Sequence, residues 1–167
     1  MFCWRIARRR YADLSGAGGL VYAGRWHDKG HEVIYVSTSI ALAALEYAAH
    51  SAVRPADSVL MKIELPDDSL VTIEQRLGGP LPANWPYVEV QTQHIGSEWL
   101  ASNDSIALEV PSILIPQERN FILNPKHARF ASEVGLVETL PFFFDPRIFN
   151  TGKLAPAAAP KRKRKPP

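Results

Sequence analysis

Glu46 is the only acidic residue between Ser37 and Asp57, and it sits in the run Ser39-Ile-Ala-Leu-Ala-Ala-Leu-Glu-Tyr-Ala-Ala-His-Ser51. Its neighbours are almost all small and apolar, which predicts a buried carboxylate. Such a group is costly unless a cation or hydrogen-bond donors meet it. Two arginines are candidates. Arg25 lies in Gly24-Arg-Trp26, where a glycine loop can present a planar guanidinium to a carboxylate or a phosphate. Arg5 alternates with Phe2, Trp4 and Ile6, so a strand there puts it on the face opposite Trp4 and Ile6, consistent with lining a cleft. For each arginine a structural ion pair with Glu46 or another acid is an equal alternative.

Further side chains gather around this trio. Tyr35 lies in the stretch that feeds the Glu46 helix, and His50 falls four residues after Glu46, on the same helical face. Ser112 follows Pro111 at the end of a predicted strand, where a hydroxyl can point into a cleft mouth. No GxSxG elbow surrounds it, so it is not read as a hydrolase nucleophile. His27, Asp28 and His31 match no metal-ligand spacing, and no metal is expected. Asn120 and Asn124 read as turn formers. The glycines of Gly16-Ala-Gly-Gly19 and Gly24 to Gly30 lack both the P-loop and the dinucleotide fingerprints, and read alone they form a surface hairpin.

The elements that must hold these residues follow from periodicity and punctuation. Strands are predicted over Phe2–Ala7, Glu32–Ser37, Ser58–Leu65, Leu70–Ile73, Ser105–Val110, Asn120–Asn124 and Val137–Phe144. Helices are predicted over Ser39–Ser51, with Ser39 as N-cap, over Val90–Ala101 and, briefly, over His127–Val134. The pattern is α+β: a single domain of mixed β-sheets with a few helices.

Composition narrows the class. At 167 residues, 46% hydrophobic and 22% charged, the chain suits one globular domain. One cysteine, Cys3, excludes an intrachain disulfide and cysteine-rich zinc modules. No stretch is long and apolar enough to span a bilayer or to make a signal-peptide core, so a cytoplasmic location is expected. The formal charge of +2 is uneven. Residues 151–167 carry six of the 19 Lys and Arg and no acid, leaving thirteen bases against 17 acids in residues 1–150. The acidic body is not that of a nucleic-acid binder. The Pro/Ala/Lys/Arg tail is predicted to be disordered, and nucleic-acid or protein interaction through it is the alternative functional reading.

An ordered set of stretches resembles the RES domain, the toxin half of RES–Xre toxin–antitoxin pairs. The set is Trp4-Arg5, Gly24-Arg-Trp26, Val33-Ile-Tyr-Val-Ser37, Ala43-Ala-Leu-Glu46 with His50, Ile95-Gly-Ser-Glu-Trp-Leu100, Val110-Pro-Ser112, Asn120-Phe-Ile-Leu-Asn-Pro125 and Phe143-Phe-Asp145 with Arg147. His27 departs from it, standing where asparagine is expected. The resemblance implies an ADP-ribosyltransferase-like fold that consumes NAD⁺ as substrate, with no separate cofactor. It implies Arg25, Glu46 and Ser112 as the name-giving catalytic residues, with Arg5 and Tyr35 also in the NAD⁺ pocket. It further implies an Xre-like antitoxin covering the cleft. The two arginines suit a pyrophosphate, the Tyr35 face suits a cationic nicotinamide ring, and Ser112 is expected to hydrogen-bond the nicotinamide or ribose. The acceptor of ADP-ribose, whether water, phosphate or a protein, is left open.

Overall fold

The computed structural model describes residues 1–51 and 53–149. The basic tail at 151–167 lies outside the described residues. In chain order the elements are β1 (Phe2–Arg8), α1 (Gly18–Val21), β2 (Ile34–Ser37), α2 (Ile40–Ala49), β3 (Ser58–Glu64), β4 (Leu70–Thr72), α3 (Ile73–Leu77), α4 (Glu89–Ser102), β5 (Ala107–Pro111), β6 (Arg119–Leu123), α5 (Phe130–Glu133) and β7 (Gly135–Phe142). Among the described residues, no helix is long and apolar enough to cross a membrane.

The strands form one mixed sheet in the order β4-β5-β6-β2-β1-β3-β7. Only β4 and β5 run parallel; every other neighbouring pair is antiparallel. The joint between β2 and β1 is narrow, resting on the single Cα pair Trp4↔Ser37. On either side the pairing is extensive: β1 meets β3 from Phe2↔Glu64 to Arg8↔Ser58, and β2 meets β6 from Ile34↔Leu123 to Ser37↔Asn120.

Register decides which side chains share a face. Trp4, Ser37, Asn120 and Val110 form one row of Cα partners across four strands, and cross-strand partners point the same way. Tyr35 and its partner Ile122 lie two residues along on the same face. Helices α2 and α4 cover this face, and a core cluster there unites Trp26, Trp99, Leu108, Val110 and Ile122. The opposite face carries the main core, including Cys3, Met61, Ile34, Val36, Phe121, Leu123 and Phe130. Burial there pushes the Cys3 thiol up to about 12, so it packs as a small hydrophobe.

Helix α2 starts as expected, with Ser39 Oγ accepting from Leu42 N at 3.1 Å. Only Leu42 and Ala43 of this helix are fully buried, while Ile40 and Leu45 are exposed. A helix of small apolar residues is here a surface layer, and Glu46 is half-buried rather than buried. The predicted strand Leu70–Ile73 is also shorter than expected. Thr72 caps α3 in a reciprocal box with Gln75 and turns the chain away from the sheet.

Candidate active site

Glu46 is held by neutral donors. Ser112 Oγ donates to Glu46 Oε1 at 2.7 Å and Asn120 Nδ2 donates to the same oxygen at 2.6 Å. No arginine of the described residues pairs with it, which corrects the expectation of a guanidinium partner. The donors come from the β5–β6 hairpin: Ser112 lies just past β5, and Asn120 sits in β6 opposite Val110. Ser112 is fully buried, and its Oγ also accepts from Leu114 N and Ile115 N at 3.1 Å each. With those acceptances made, its one proton goes to Glu46. Ser112 therefore fixes the carboxylate and has no proton left for a ligand, a second departure from expectation. Asn120 is oriented in turn, because its Oδ1 accepts from Ser37 Oγ at 2.7 Å. The reading of Asn120 as a turn former is thus replaced by a role in the polar row. Its in-phase spacing with Ile122 on one strand face was the signal. Asn124 does make a turn, accepting from Lys126 N at 3.0 Å. Both hydrogen bonds to Glu46 fall on Oε1, and Oε2 takes none from the described residues.

Arg25 sits at the tip of a tight loop closed by Gly24 N donating to His27 O at 3.0 Å. Helix α4 grips this loop by its backbone. Thr92 Oγ1 donates to Arg25 O at 2.6 Å, Gln93 Nε2 to Gly24 O at 3.0 Å, and Ser97 Oγ accepts from Asp28 N at 2.9 Å. The Trp26 ring stacks on Trp85, centroids 5.8 Å apart. Gly96 lets the helix come close, since a Cβ there would stand 1.8 Å from Trp26 O. A glycine inside a helix is a packing signal, and this one marks the close approach of α4 to the Trp26 backbone. Gly96→Ala is expected to destabilise the fold by about 3 kcal/mol, measured as a drop in the urea midpoint. A midpoint equal to wild type would show that α4 does not rest on Trp26.

The Arg25 guanidinium is poorly satisfied. Nη2 reaches Pro86 O at 3.4 Å, and Nη1 is buried with no hydrogen-bond partner. A buried donor left unpaired in the free protein is unusual and fits a site that takes an anion. Trp26 N donates to the Tyr35 hydroxyl at 3.1 Å, which puts the loop on the Tyr35–Ser37 face of β2. Tyr35 and Ser37 are two strand residues apart, about 7 Å, so the arginine loop and the Glu46 row flank one surface. Burial raises the Tyr35 phenol pKa well above its usual range.

Arg5 does not join them. It projects with Cys3 and Ala7 from the other side of β1, and its Nη1 donates to Asp13 O at 3.0 Å. Burial lowers its pKa while the Asp13 carboxylate opposes that shift. His50 is exposed at the C-cap of α2. Two hollows are present among the described residues, and neither Glu46 nor Arg25 lines them. One, of about 290 Å³, is lined by Trp4, Ile40, Leu60, Lys62, Glu138 and Leu140; the other is lined in part by Met1, Asp67 and Glu133. Neither contains a residue singled out for chemistry.

The sheet order and its helices define an α+β fold already seen by crystallography. A chain of the M. tuberculosis MbcT–MbcA toxin–antitoxin complex superposes with a TM-score of 0.68 over 89% of this chain and 86% of its own, at 16% identity, a likeness of fold. The RES domain model matches residues 2–145, and the chain belongs to the RES-domain family. "Toxin Res" of Yersinia enterocolitica is 38% identical over 154 residues, 89% of this chain and 99% of the relative. The "Prs ADP-ribosylating toxin" of Sphingobium sp. is 37% identical over 155 residues, 88% and 96%.

Proposed function

We propose that the protein is the toxin of a toxin–antitoxin pair and an enzyme that cleaves the nicotinamide–ribose bond of NAD⁺. The observation that carries this reading is Glu46, tied through Oε1 with no donor from the described residues on Oε2, on the same sheet face as a loop whose arginine keeps a buried, unpartnered nitrogen. The name of the Sphingobium relative supports ADP-ribosyl chemistry. The structural neighbour was solved as a toxin–antitoxin complex, which supports an antitoxin partner.

In this reading Arg25 meets the pyrophosphate, whose oxygens supply the acceptors that Nη1 lacks. The Tyr35 ring holds the cationic nicotinamide. The C1′–N bond breaks with its electron pair leaving on nicotinamide, which departs neutral, and positive charge gathers on the ribose as in glycoside cleavage. Glu46, with Oε2 toward the ribose, stabilises that charge as it develops. An acceptor then adds to C1′ and loses a proton. Ser112 and Asn120 keep the carboxylate in place, and Arg5 braces the Asp13 turn.

The test is incubation of the purified protein with ribose-labelled NAD⁺ in buffer alone, with phosphate, and with cell lysate. Free nicotinamide should appear in at least one arm. Label in ADP-ribose, in ADP-ribose 1″-phosphate or in a protein band identifies the acceptor as water, phosphate or a side chain. Intact NAD⁺ in all three arms would end this reading.

A further inference from the structure

His27 is buried, 3% exposed, and both ring nitrogens are engaged. Nε2 lies 3.1 Å from Tyr22 O and Nδ1 lies 2.7 Å from the Tyr35 hydroxyl. A backbone carbonyl only accepts, so Nε2 carries the proton and Nδ1 of the neutral ring is an acceptor. The Tyr35 oxygen already accepts from Trp26 N at 3.1 Å, and its own proton points to Nδ1. Desolvation favours the neutral ring, lowering its pKa. A directed chain results: Trp26 N–H to Tyr35 O–H to His27, then His27 Nε2–H to the Tyr22 carbonyl.

The surrounding glycines are shaped to this ring. A Cβ at Gly24 would stand 2.7 Å from His27 Cε1 and 2.7 Å from the Tyr35 hydroxyl, and one at Gly19 would stand 2.9 Å from His27 Nε2. The glycine-rich connection therefore makes room for an imidazole. The relay ties strand β2, the end of α1 and the Arg25 loop at one point.

We propose that His27 is a positioning residue that locks the Tyr35 ring and the Arg25 loop into one unit, and that Tyr35 acts through its ring alone, its hydroxyl being committed inside the protein. The kinetic consequence rests on the functional reading above; the hydrogen-bond relay does not. Tyr35→Phe removes one oxygen, and His27→Phe keeps a ring that cannot accept. Each is expected to raise KM for NAD⁺ about ten- to a hundredfold with kcat changed far less, since misplacement of binding groups is the defect. The double variant should be no worse than the poorer single, because both remove the same bond. His27→Gln, with an acceptor and a donor on one amide, should recover part of the loss.

The relay is checked without substrate by ¹⁵N spectroscopy of the full chain. Nε2 of His27 should be the protonated nitrogen, and the Nδ1 resonance should move in Tyr35→Phe. The opposite tautomer, or an unmoved Nδ1, overturns the proposal whatever the enzyme does. Additive losses in the double variant, or wild-type KM in Tyr35→Phe, overturn it as well. Wild-type protein inert toward NAD⁺ but with the expected tautomer and response rejects the functional reading and leaves the relay supported.

Discussion

Glutamine at position 46 is expected to lower kcat/KM for NAD⁺ by about three orders of magnitude or more and to end growth arrest on expression, with the fold retained. The geometry makes the substitution clean. Both bonds to Glu46 land on Oε1, and the glutamine carbonyl still accepts from Ser112 and Asn120. What changes is the other end, where an N–H₂ group replaces Oε2, the oxygen that the proposed mechanism turns toward the ribose. A neutral amide gives no electrostatic stabilisation to an oxocarbenium-like centre, so the loss falls on the chemical step. Stability should fall by about 1 kcal/mol, the difference between charge-assisted and neutral hydrogen bonds. Single-turnover nicotinamide release and a thermal melt on the same sample separate the two effects. A glutamine variant that still depletes NAD⁺ and stops growth would remove Glu46 from the chemistry.

The same carboxylate shows what a single sequence can and cannot say. Its helix was legible: Ser39 caps it, and the apolar run continues to its end. The residue itself was conspicuous too, as a lone acid in apolar company. Its partners were not, because they come from a hairpin 66 and 74 residues away and their pairing is set by strand register. Charge alone favours an arginine, whereas two neutral donors satisfy a half-buried carboxylate without a second buried ion. The alternation that places Arg5 opposite Trp4 on β1 is correct, but alternation does not say which face of the sheet the helix covers. Register settles that: Trp4, not Arg5, shares the row with Ser37 and Asn120. The end of β4 is readable in Thr72-Ile-Glu-Gln75, a capping-box pattern masked by the apolar run Leu70–Ile73. The glycines near Arg25 are visible as a cluster, yet their purpose needs coordinates, since what they accommodate is a histidine later in the same loop.

Arg25→Met should separate stability from function in opposite directions. In the free protein the Nη1 group is buried with no partner, and Nη2 has only a long contact to Pro86 O at 3.4 Å. An unsatisfied buried donor costs about 1–3 kcal/mol, so an apolar side chain of similar length should leave the melting temperature unchanged or raise it. The loop itself does not depend on the guanidinium, because α4 holds it through Thr92, Gln93 and Gly96 by backbone contacts. KM for NAD⁺ should nonetheless rise about a hundredfold, through the loss of a charge-assisted contact to phosphate worth about 3 kcal/mol. Arg25→Lys should recover only part of it, since an ammonium cannot match the fork that reaches Pro86 and the ligand together. NAD⁺ should raise the melting temperature of wild type and fail to do so in the methionine variant at the same concentration. If the methionine variant instead melts several degrees lower with its KM intact, Arg25 is a structural brace and not a contact to NAD⁺.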